Sequence, residues 1–276
     1  QQVVQLISSQ LDADRMDYLL RDAFYSGVSY GAFDLDRISR VIRPFNHKIA
    51  FDFSGMHAVE DYITSRYQMY MQVYFHPVSR GMEQVLKGLL ARARDCYLGL
   101  HGALAIQGPL RLLEPFLKGQ WTLEDYLKLD DHVMNAYFIH WLDEADPVLQ
   151  DLAYRVINRK PFKSIITTKE DQEELRLALY QELFAAGYNA DYYLNDDSSF
   201  DLPYDYYRPF HQSNRIQIDL VTKTNQVVEL SQVSSLVHSL AAQVRGDRRL
   251  FFPKELIKHL EQIPADQLNE QQKLIL

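Results

Sequence analysis

Residues 9–31, SQLDADRMDYLLRDAFYSGVSYG, decide the fold of the N-terminal part of the chain. Apolar residues recur from Val3 to Ala23 with a period close to 3.6 residues, which is typical of an amphipathic helix. Gly27 and Gly31 follow the last apolar position, and glycine is typical of a helix end. The sequence therefore predicts one helix over residues 3–23.

One face of this helix collects charged and aromatic side chains. Asp14, Tyr18 and Asp22 are spaced i, i+4, i+8, so they lie above one another on the same face, and Arg15 lies about a quarter turn away. This arrangement suits a metal-bound phosphorylated nucleoside, because carboxylate oxygen is a ligand for hard and borderline cations. The same spacing also fits a solvent-exposed face with salt bridges between residues four apart. Spacing alone leaves both interpretations open.

A second stripe is formed by Arg66, Tyr70 and Tyr74, again at i, i+4, i+8. Aromatic residues at helical spacing are common in a packed core. A guanidinium among aromatic rings also favours an anionic partner or a stacking role. The second stripe is therefore compatible with core packing and with an anion site.

The whole chain is predicted to be mainly α, with a helical body followed by a smaller α+β subdomain. The boundary is expected within residues 158–165, which gives domains of residues 1–160 and 161–276. The predicted elements are a short helix capped by Asp34, a strand over 48–53, a long helical stretch over 57–100 interrupted near Pro77, helices over 122–143 and 147–156, a strand over 164–168, a helix over 170–186, a loop over 188–209, a hairpin over 215–230, and helices over 233–242 and 253–262.

Composition limits the classes of protein. The chain has 276 residues, is 47% hydrophobic and carries a formal net charge of −8 at pH 7. It is long and apolar enough to bury a core, and its acidic charge disfavours a general nucleic-acid binder. No apolar run approaches the roughly 18–20 residues that span a bilayer, and no signal peptide is recognisable, so we expect a cytoplasmic protein without a membrane partner. The single cysteine, Cys96, excludes an intrachain disulfide and a cysteine-based zinc cluster.

Several common catalytic motifs are absent from the sequence. None of the nine histidines is followed by Asp, and no His-Glu-x-x-His, Gly-x-Ser-x-Gly, P-loop or Gly-x-Gly-x-x-Gly sequence occurs. Zincin, α/β-hydrolase and Walker-type chemistry therefore have no support in this chain.

Residues 9–31 resemble the stretch around the last metal-ligating aspartate of HD-domain deoxynucleoside triphosphate triphosphohydrolases. This family includes bacterial enzymes and the vertebrate enzyme that joins a sterile-alpha-motif to an HD domain. The likeness covers nearly the first 165 residues and continues in order through residues 33–37 (FDLDR), 58–77 (AVEDYITSRYQMYMQVYFHP), 129–132 (LDDH) and 158–163 (NRKPFK). The resemblance implies an HD-type helical body and metal-assisted hydrolysis, in which a metal-bound water attacks the α-phosphorus and a deoxynucleoside and inorganic triphosphate leave.

The resemblance also implies roles for the residues of the first helix. Asp14 matches the fourth ligand of a divalent metal ion, whose identity (Mn, Mg, Fe, Ni or Zn) the sequence leaves open. Arg15, Tyr18 and Asp22 match residues that contact the substrate phosphate, the deoxyribose and its 3′-hydroxyl.

Two residues of the second stripe match family positions as well. Arg66 corresponds to a phosphate-binding arginine, and Tyr74 to the tyrosine that packs against the sugar and disfavours a ribonucleotide 2′-hydroxyl. Phe75 departs from the vertebrate enzyme, which has glutamine there.

Regulation and assembly are implied in the same way. Members of the family are often activated by a nucleotide bound between subunits, and Arg37, Arg159 and Lys163 match basic positions that can serve such a site. The resemblance therefore suggests deoxynucleoside triphosphates as substrates, dGTP or GTP as a candidate activator, and a homo-dimer or homo-tetramer.

The family's metal centre also needs a His…His-Asp pattern before the final Asp, yet none of the thirteen residues before Asp14 is His. One carboxylate does not build a site that takes four protein ligands. We therefore expect this chain to be the C-terminal part of such an enzyme, inactive alone and without an assigned catalytic residue. The alternative is a non-catalytic nucleotide-sensing or oligomerisation module that keeps the basic cluster and the aromatic contacts.

Overall fold

A computed structural model describes residues 2–201, 217–241, 245–263, 266–268 and 270–275 of the chain. The fold is mainly α-helical with small sheets, as predicted. The helices are α1 (Gln2–Ile7), α2 (Ala13–Ser26), α3 (Leu35–Val41), α4 (Met56–Met69), α5 (Pro77–Leu98), α6 (Glu114–Leu117), α7 (Leu123–Leu127), α8 (Asp131–His140), α9 (Pro147–Ile157), α10 (Gln172–Ala185), α11 (Ala190–Tyr193), α12 (Leu230–Val233), α13 (Ser235–Ala241), α14 (Lys254–Leu260) and α15 (Glu270–Ile275). The strands are β1 (Ile42–Phe45), β2 (Lys48–Asp52), β3 (Lys163–Thr167), β4 (Asn195–Asp201), β5 (Asp219–Val221), β6 (Val227–Glu229) and β7 (Arg245–Phe252).

The chain divides into two compact units. Unit 1 comprises Gln1–His76 and Ser199–Gly246, and unit 2 comprises Pro77–Ser198 and Asp247–Leu276. This division differs from the predicted boundary at residues 160 and 161. The reason is strand pairing: β5 lies beside β2 in parallel, with Phe51 opposite Leu220, and a local sequence pattern does not reveal such a distant partner.

Unit 1 is built from α1–α4, α12 and α13 and a sheet of strand order β1-β2-β5-β6. Its core includes Leu19, Ile38, Val59, Tyr62 and Leu220, all fully buried. The predicted hairpin is present as β5 and β6, which pair antiparallel, although residues 215 and 216 lie outside the described residues. The β1–β2 hairpin was not predicted.

The single helix predicted over residues 3–23 is wrong. The structure has α1 and α2 with a break between them, because Asp12 caps the second helix. The Asp12 carboxylate accepts hydrogen bonds from the backbone N–H groups of Ser9 and Arg15, each at 2.7 Å. An Asp that satisfies N–H groups in this way favours a new helix start over helix continuation.

Unit 2 is organised around α5, which packs closely against backbone. A Cβ added at Gly81 would lie 2.5 Å from the carbonyl oxygen of Phe162, and one added at Gly88 would lie 2.5 Å from that of Tyr192. Because these glycines are seven residues apart, they lie on one face of the helix. The helix therefore approaches two other chain segments where any larger residue would clash.

The sheet of unit 2 has strand order β3-β7-β4, and β3 pairs antiparallel with β7. Two predictions in this unit are wrong. The helix expected over 122–143 is two helices, because Thr122 caps α7 and Asp130 caps α8. The loop expected over 188–209 contains α11 and β4, and residues 202–209 of it lie outside the described residues.

None of the helices in the described part of the chain is both long and apolar enough to cross a membrane.

Candidate functional site

The first turn of α2 fixes the position of Arg15. Its guanidinium Nη1 donates hydrogen bonds to the Asp12 carboxylate and to the carbonyl oxygen of Ser9. Burial lowers the pKa of Arg15, but the charge and hydrogen bond of Asp12 together with the nearby Tyr62 and Tyr18 outweigh it, so the pKa lies above its ordinary value. The Nε of Arg15 is buried and has no hydrogen-bond partner among the described residues. Arg15 is therefore a charged side chain that retains an unused donor.

Arg66 lies in the last turn of α4, and Tyr70 and Tyr74 follow directly after this helix. After Met69 the helix continues as a π-helical turn over Tyr70–Tyr74, in which the backbone N–H of Phe75 donates to the carbonyl oxygen of Tyr70 at 2.7 Å. A π-turn inside a helix is rare and is frequent at functional sites, because it changes which side chains face a neighbour.

Tyr18, Asp22 and Tyr74 form the contact between α2 and this turn. The Tyr74 hydroxyl donates to the Asp22 carboxylate at 2.7 Å, and the Tyr18 and Tyr74 rings meet edge to face with centroids 6.2 Å apart. Burial raises the pKa of Tyr74, and the hydrogen bond to Asp22 raises it further. Tyr74 is therefore a neutral donor at physiological pH. The two predicted stripes thus meet in unit 1.

Arg66 is the most unusual side chain of this group. It is 1% exposed, and its Nε and Nη1 have no hydrogen-bond partner among the described residues. Its guanidinium lies over the Tyr70 ring, with Cζ 5.3 Å from the ring centroid. A buried charge without partners is costly. An anion that reached these donors would remove that cost.

Asp14, the predicted metal ligand, differs from Arg66 in its exposure to solvent. It is exposed in the first turn of α2. Among the described residues, no group of three or more His, Cys, Asp or Glu side chains could hold a metal ion. A single exposed carboxylate does not fit the needs of a catalytic divalent metal, which takes several protein ligands. The residues described here therefore do not make a metal site.

The residues predicted for nucleotide regulation fall in different units. Arg37 belongs to unit 1, where its Nη2 donates to the carbonyl oxygen of Ser54 at 3.0 Å. Arg159 and Lys163 belong to unit 2, and both are exposed. Arg159 follows α9 with a positive φ of 51°. Their regulatory role stays a prediction.

Sequence reasoning missed Asp12 and Tyr62, and it placed Tyr70 in the second stripe without a role of its own. Asp12 orients Arg15, Tyr62 is fully buried beside Arg66, and Tyr70 lies under the Arg66 guanidinium. The spacing of Tyr70 four residues after Arg66 had already placed both residues on one helix face. Asp12 could have been found as a helix cap, because Asp is among the preferred N-cap residues.

The comparisons with known proteins agree on the type of fold. Residues 33–97 match a family model described as HD associated region. The crystal structure of a phosphohydrolase from Bacteroides thetaiotaomicron is 27% identical and superposes with a TM-score of 0.72 over 91% of this chain and 63% of that one. A hypothetical protein from Aquifex aeolicus, 24% identical, has the same fold with a TM-score of 0.63 over 99% of this chain and 59% of its own.

Curated relatives are longer than this chain. The uncharacterized protein YwfO of Bacillus subtilis is 49% identical over 256 residues, which make up 93% of this chain and 58% of YwfO. An uncharacterized protein of Methanocaldococcus jannaschii is 26% identical over 279 residues, or 96% of this chain and 54% of that protein. The chain thus spans a little more than half the length of these relatives. Together, the HD-associated match and the superposition on a phosphohydrolase support an HD-type fold for this chain.

Proposed function

We propose that this chain is part of an HD-type phosphohydrolase that cleaves deoxynucleoside triphosphates to a deoxynucleoside and inorganic triphosphate. One observation carries the proposal: a buried arginine with unused donors, Arg66, lies beside the linked side chains of Tyr18, Asp22 and Tyr74. Cation, aromatic ring and carboxylate are the groups that bind phosphate, sugar and sugar hydroxyl, respectively.

The cations of the site would act on the triphosphate. Arg15 and Arg66 each retain a buried donor without a described partner, so binding of phosphate oxygens satisfies groups that are otherwise unpaired. Fixed cations stabilise charge that develops on a leaving group, and they are worth more in a site from which water is excluded. These two arginines would therefore hold the triphosphate alike in the bound substrate and as it departs, so their loss should act on KM more than on kcat.

The Tyr74–Asp22 pair would act on the sugar. Its hydrogen bond fixes the Tyr74 ring against α2, and a fixed ring leaves no room for an additional 2′-hydroxyl on its face. The Asp22 carboxylate keeps a second oxygen that can accept from a 3′-hydroxyl. We expect Tyr74→Ala to admit ribonucleoside triphosphates, measured as the ratio of kcat/KM for GTP to that for dGTP. An unchanged ratio would contradict this role.

The proposed reaction in the intact protein also requires a divalent metal ion, for which Asp14 would supply one ligand. The described residues supply no complete set, so the other ligands would lie elsewhere in the protein. No step of the chemistry is assigned to residues of this chain beyond binding and charge stabilisation.

The test is release of inorganic triphosphate by the intact protein with a divalent metal. Asp14→Ala should abolish turnover, whereas Arg66→Ala should chiefly raise KM, because it removes binding more than chemistry. Arg40→Gln, an exposed arginine of α3 in the same unit, is the matched control. Turnover of Asp14→Ala at the wild-type rate would contradict the proposal.

A thermal-shift experiment separates this proposal from a nucleotide sensor. A ligand that binds the folded protein raises its unfolding temperature. Stabilisation by dGTP that depends on the metal supports the enzyme, and equal stabilisation by dGTP or GTP without metal supports the sensor.

A further inference from the structure

Tyr70 contacts both Arg66 and Tyr74, and beyond its place in the second stripe neither the sequence nor the comparisons assign it a role. Its ring lies under the Arg66 guanidinium at 5.3 Å and meets the rings of Tyr74 and Phe75 edge to face, with centroids 5.1 and 5.5 Å apart. Through Tyr74 it is linked to Tyr18 and Asp22 on α2. Tyr70 therefore connects the arginine, the α2 stripe and the end of the π-turn.

The guanidinium of a buried arginine needs a contact that fixes its orientation. A carboxylate would fix the guanidinium but would also neutralise it and occupy its donors. An aromatic face fixes the plane of the guanidinium by a cation–π contact and leaves every N–H free. Tyr70 supplies such a face to Arg66, and the Arg66 Nε and Nη1 are indeed unpaired among the described residues.

The backbone explains why the ring stays there. Tyr70 begins the π-turn, and its carbonyl oxygen accepts from the N–H of Phe75 five residues later. Its ring meets that of Tyr74, which is itself hydrogen-bonded to Asp22 on α2. The ring is thus fixed by both helices before any ligand binds.

We propose that Tyr70 is a positioning residue that holds the Arg66 guanidinium for a triphosphate group, by its ring rather than by its hydroxyl. The inference rests on the proposed function, because it takes Arg66 as a phosphate-binding residue. It makes the pair a prepared anion receptor in which the aromatic side chain replaces the usual counter-ion.

The experiment measures binding of inorganic triphosphate to the intact protein by calorimetry. Tyr70→Leu removes the ring and should weaken binding about tenfold, as expected for the loss of a buried cation–π contact. Tyr70→Phe keeps the ring, and its affinity should stay within about twofold of wild type. Tyr30→Leu is the matched control, because Tyr30 is half-buried against the same core. Circular dichroism establishes that each variant is folded.

A double-mutant cycle with Arg66→Met shows whether Tyr70 acts through the arginine. If it does, Tyr70→Leu has no further effect on triphosphate binding once Arg66 is replaced. In turnover assays, Tyr70→Leu should raise KM for the deoxynucleoside triphosphate and change kcat little, and Tyr70→Phe should restore KM.

The possible failures are distinguishable. If wild-type protein does not bind triphosphate, or if Arg66→Met binds it as well as wild type does, the proposed phosphate site is wrong. If Arg66→Met loses binding while Tyr70→Leu retains it, the site stands and the role of Tyr70 is overturned. Equal losses in Tyr70→Phe and Tyr70→Leu would overturn the assignment to the ring.

Discussion

Buried arginines differ between the two units in whether they have counter-ions. In unit 2, Arg80, Arg92 and Arg155 are at most 5% exposed, and each lies over an aromatic ring. In unit 1, Arg66 is equally buried and also lies over a ring. The difference lies in the counter-ions, because Arg66 leaves two donors without a partner among the described residues.

Each of these three buried arginines of unit 2 is neutralised by aspartate or glutamate. The pairs are Arg80 with Asp197 and Asp247, Arg92 with Asp146, and Arg155 with Asp151 and Glu255. No buried nitrogen of these three arginines lacks a hydrogen-bond partner, so they serve to hold the fold together. An arginine with the same burial and the same aromatic support, but with free donors, is suited to a ligand. Under the proposed function, this contrast separates cations that stabilise the fold from a cation that binds a ligand.

The largest effect is expected from breaking a pair in unit 2. Arg92→Met leaves Asp146, whose side chain is 2% exposed, as an unpaired buried carboxylate, and the loss should be about 3–5 kcal/mol of unfolding free energy. Both tryptophans, Trp121 and Trp141, belong to unit 2, so urea unfolding followed by tryptophan fluorescence reports on this unit. Arg94→Met, on the exposed face of the same helix, should cost no more than about 0.5 kcal/mol. Equal losses would contradict the structural role of the pair.

Acid should weaken the same unit more gradually. Burial raises the pKa of Asp247, but hydrogen bonds from Arg249 and Arg80 lower it more, so it lies below its ordinary value of 3.8. A carboxyl with a lowered folded pKa stabilises the fold above its ordinary pKa, and this stability is lost as the pH falls through the folded value. Tryptophan fluorescence should therefore show a stability that declines below pH 3.8, and less steeply in Asp247→Asn.

The control for the acid effect is Asp143→Asn, because Asp143 is exposed. This variant should lose stability with falling pH as steeply as the wild type does. A slope that is unchanged in Asp247→Asn would mean that the carboxylates paired with Arg80 do not cause the acid sensitivity.

Replacing Arg66 should affect ligand binding more than the stability of the fold. Arg66→Met removes a buried charge without stranding a carboxylate among the described residues, so the unfolding free energy should change by no more than about 1 kcal/mol in either direction. Far-UV circular dichroism during urea unfolding measures it. The same variant should lose its stabilisation by inorganic triphosphate. A destabilisation as large as that of Arg92→Met would show that Arg66 has a structural counter-ion.

The sequence predicted the parts of this site that depend on local spacing. The i, i+4, i+8 stripes placed Asp22 with Tyr18 and Tyr74 with Arg66, and the structure brings the two stripes together. Periodicity reports which residues share a helix face, so it could not predict the π-turn, which shifts that face after Met69.

Long-range pairing was the other limit. The β5–β6 hairpin was visible from its alternation, but its attachment to β2 was not, and the domain boundary was therefore expected elsewhere. The burial of each arginine could not be predicted either, because helical spacing is the same for a paired, an unpaired and an exposed arginine. Only the structure distinguishes Arg66, which has unpaired donors, from Arg92, which is paired with Asp146.

The smallest effect is expected where an arginine is paired but exposed. Arg21 and Asp17 form a salt bridge on α2, and their side chains are 53% and 63% exposed. Arg21→Gln should change the unfolding free energy of unit 1 by no more than about 0.5 kcal/mol, and less at high salt, because water and ions screen such a pair. Circular dichroism during urea unfolding at low and high salt measures both quantities. A loss comparable to that of Arg92→Met would mean that an ion pair contributes the same unfolding free energy whether it is buried or exposed. The unpaired donors of Arg66 would then no longer distinguish it as a ligand-binding residue.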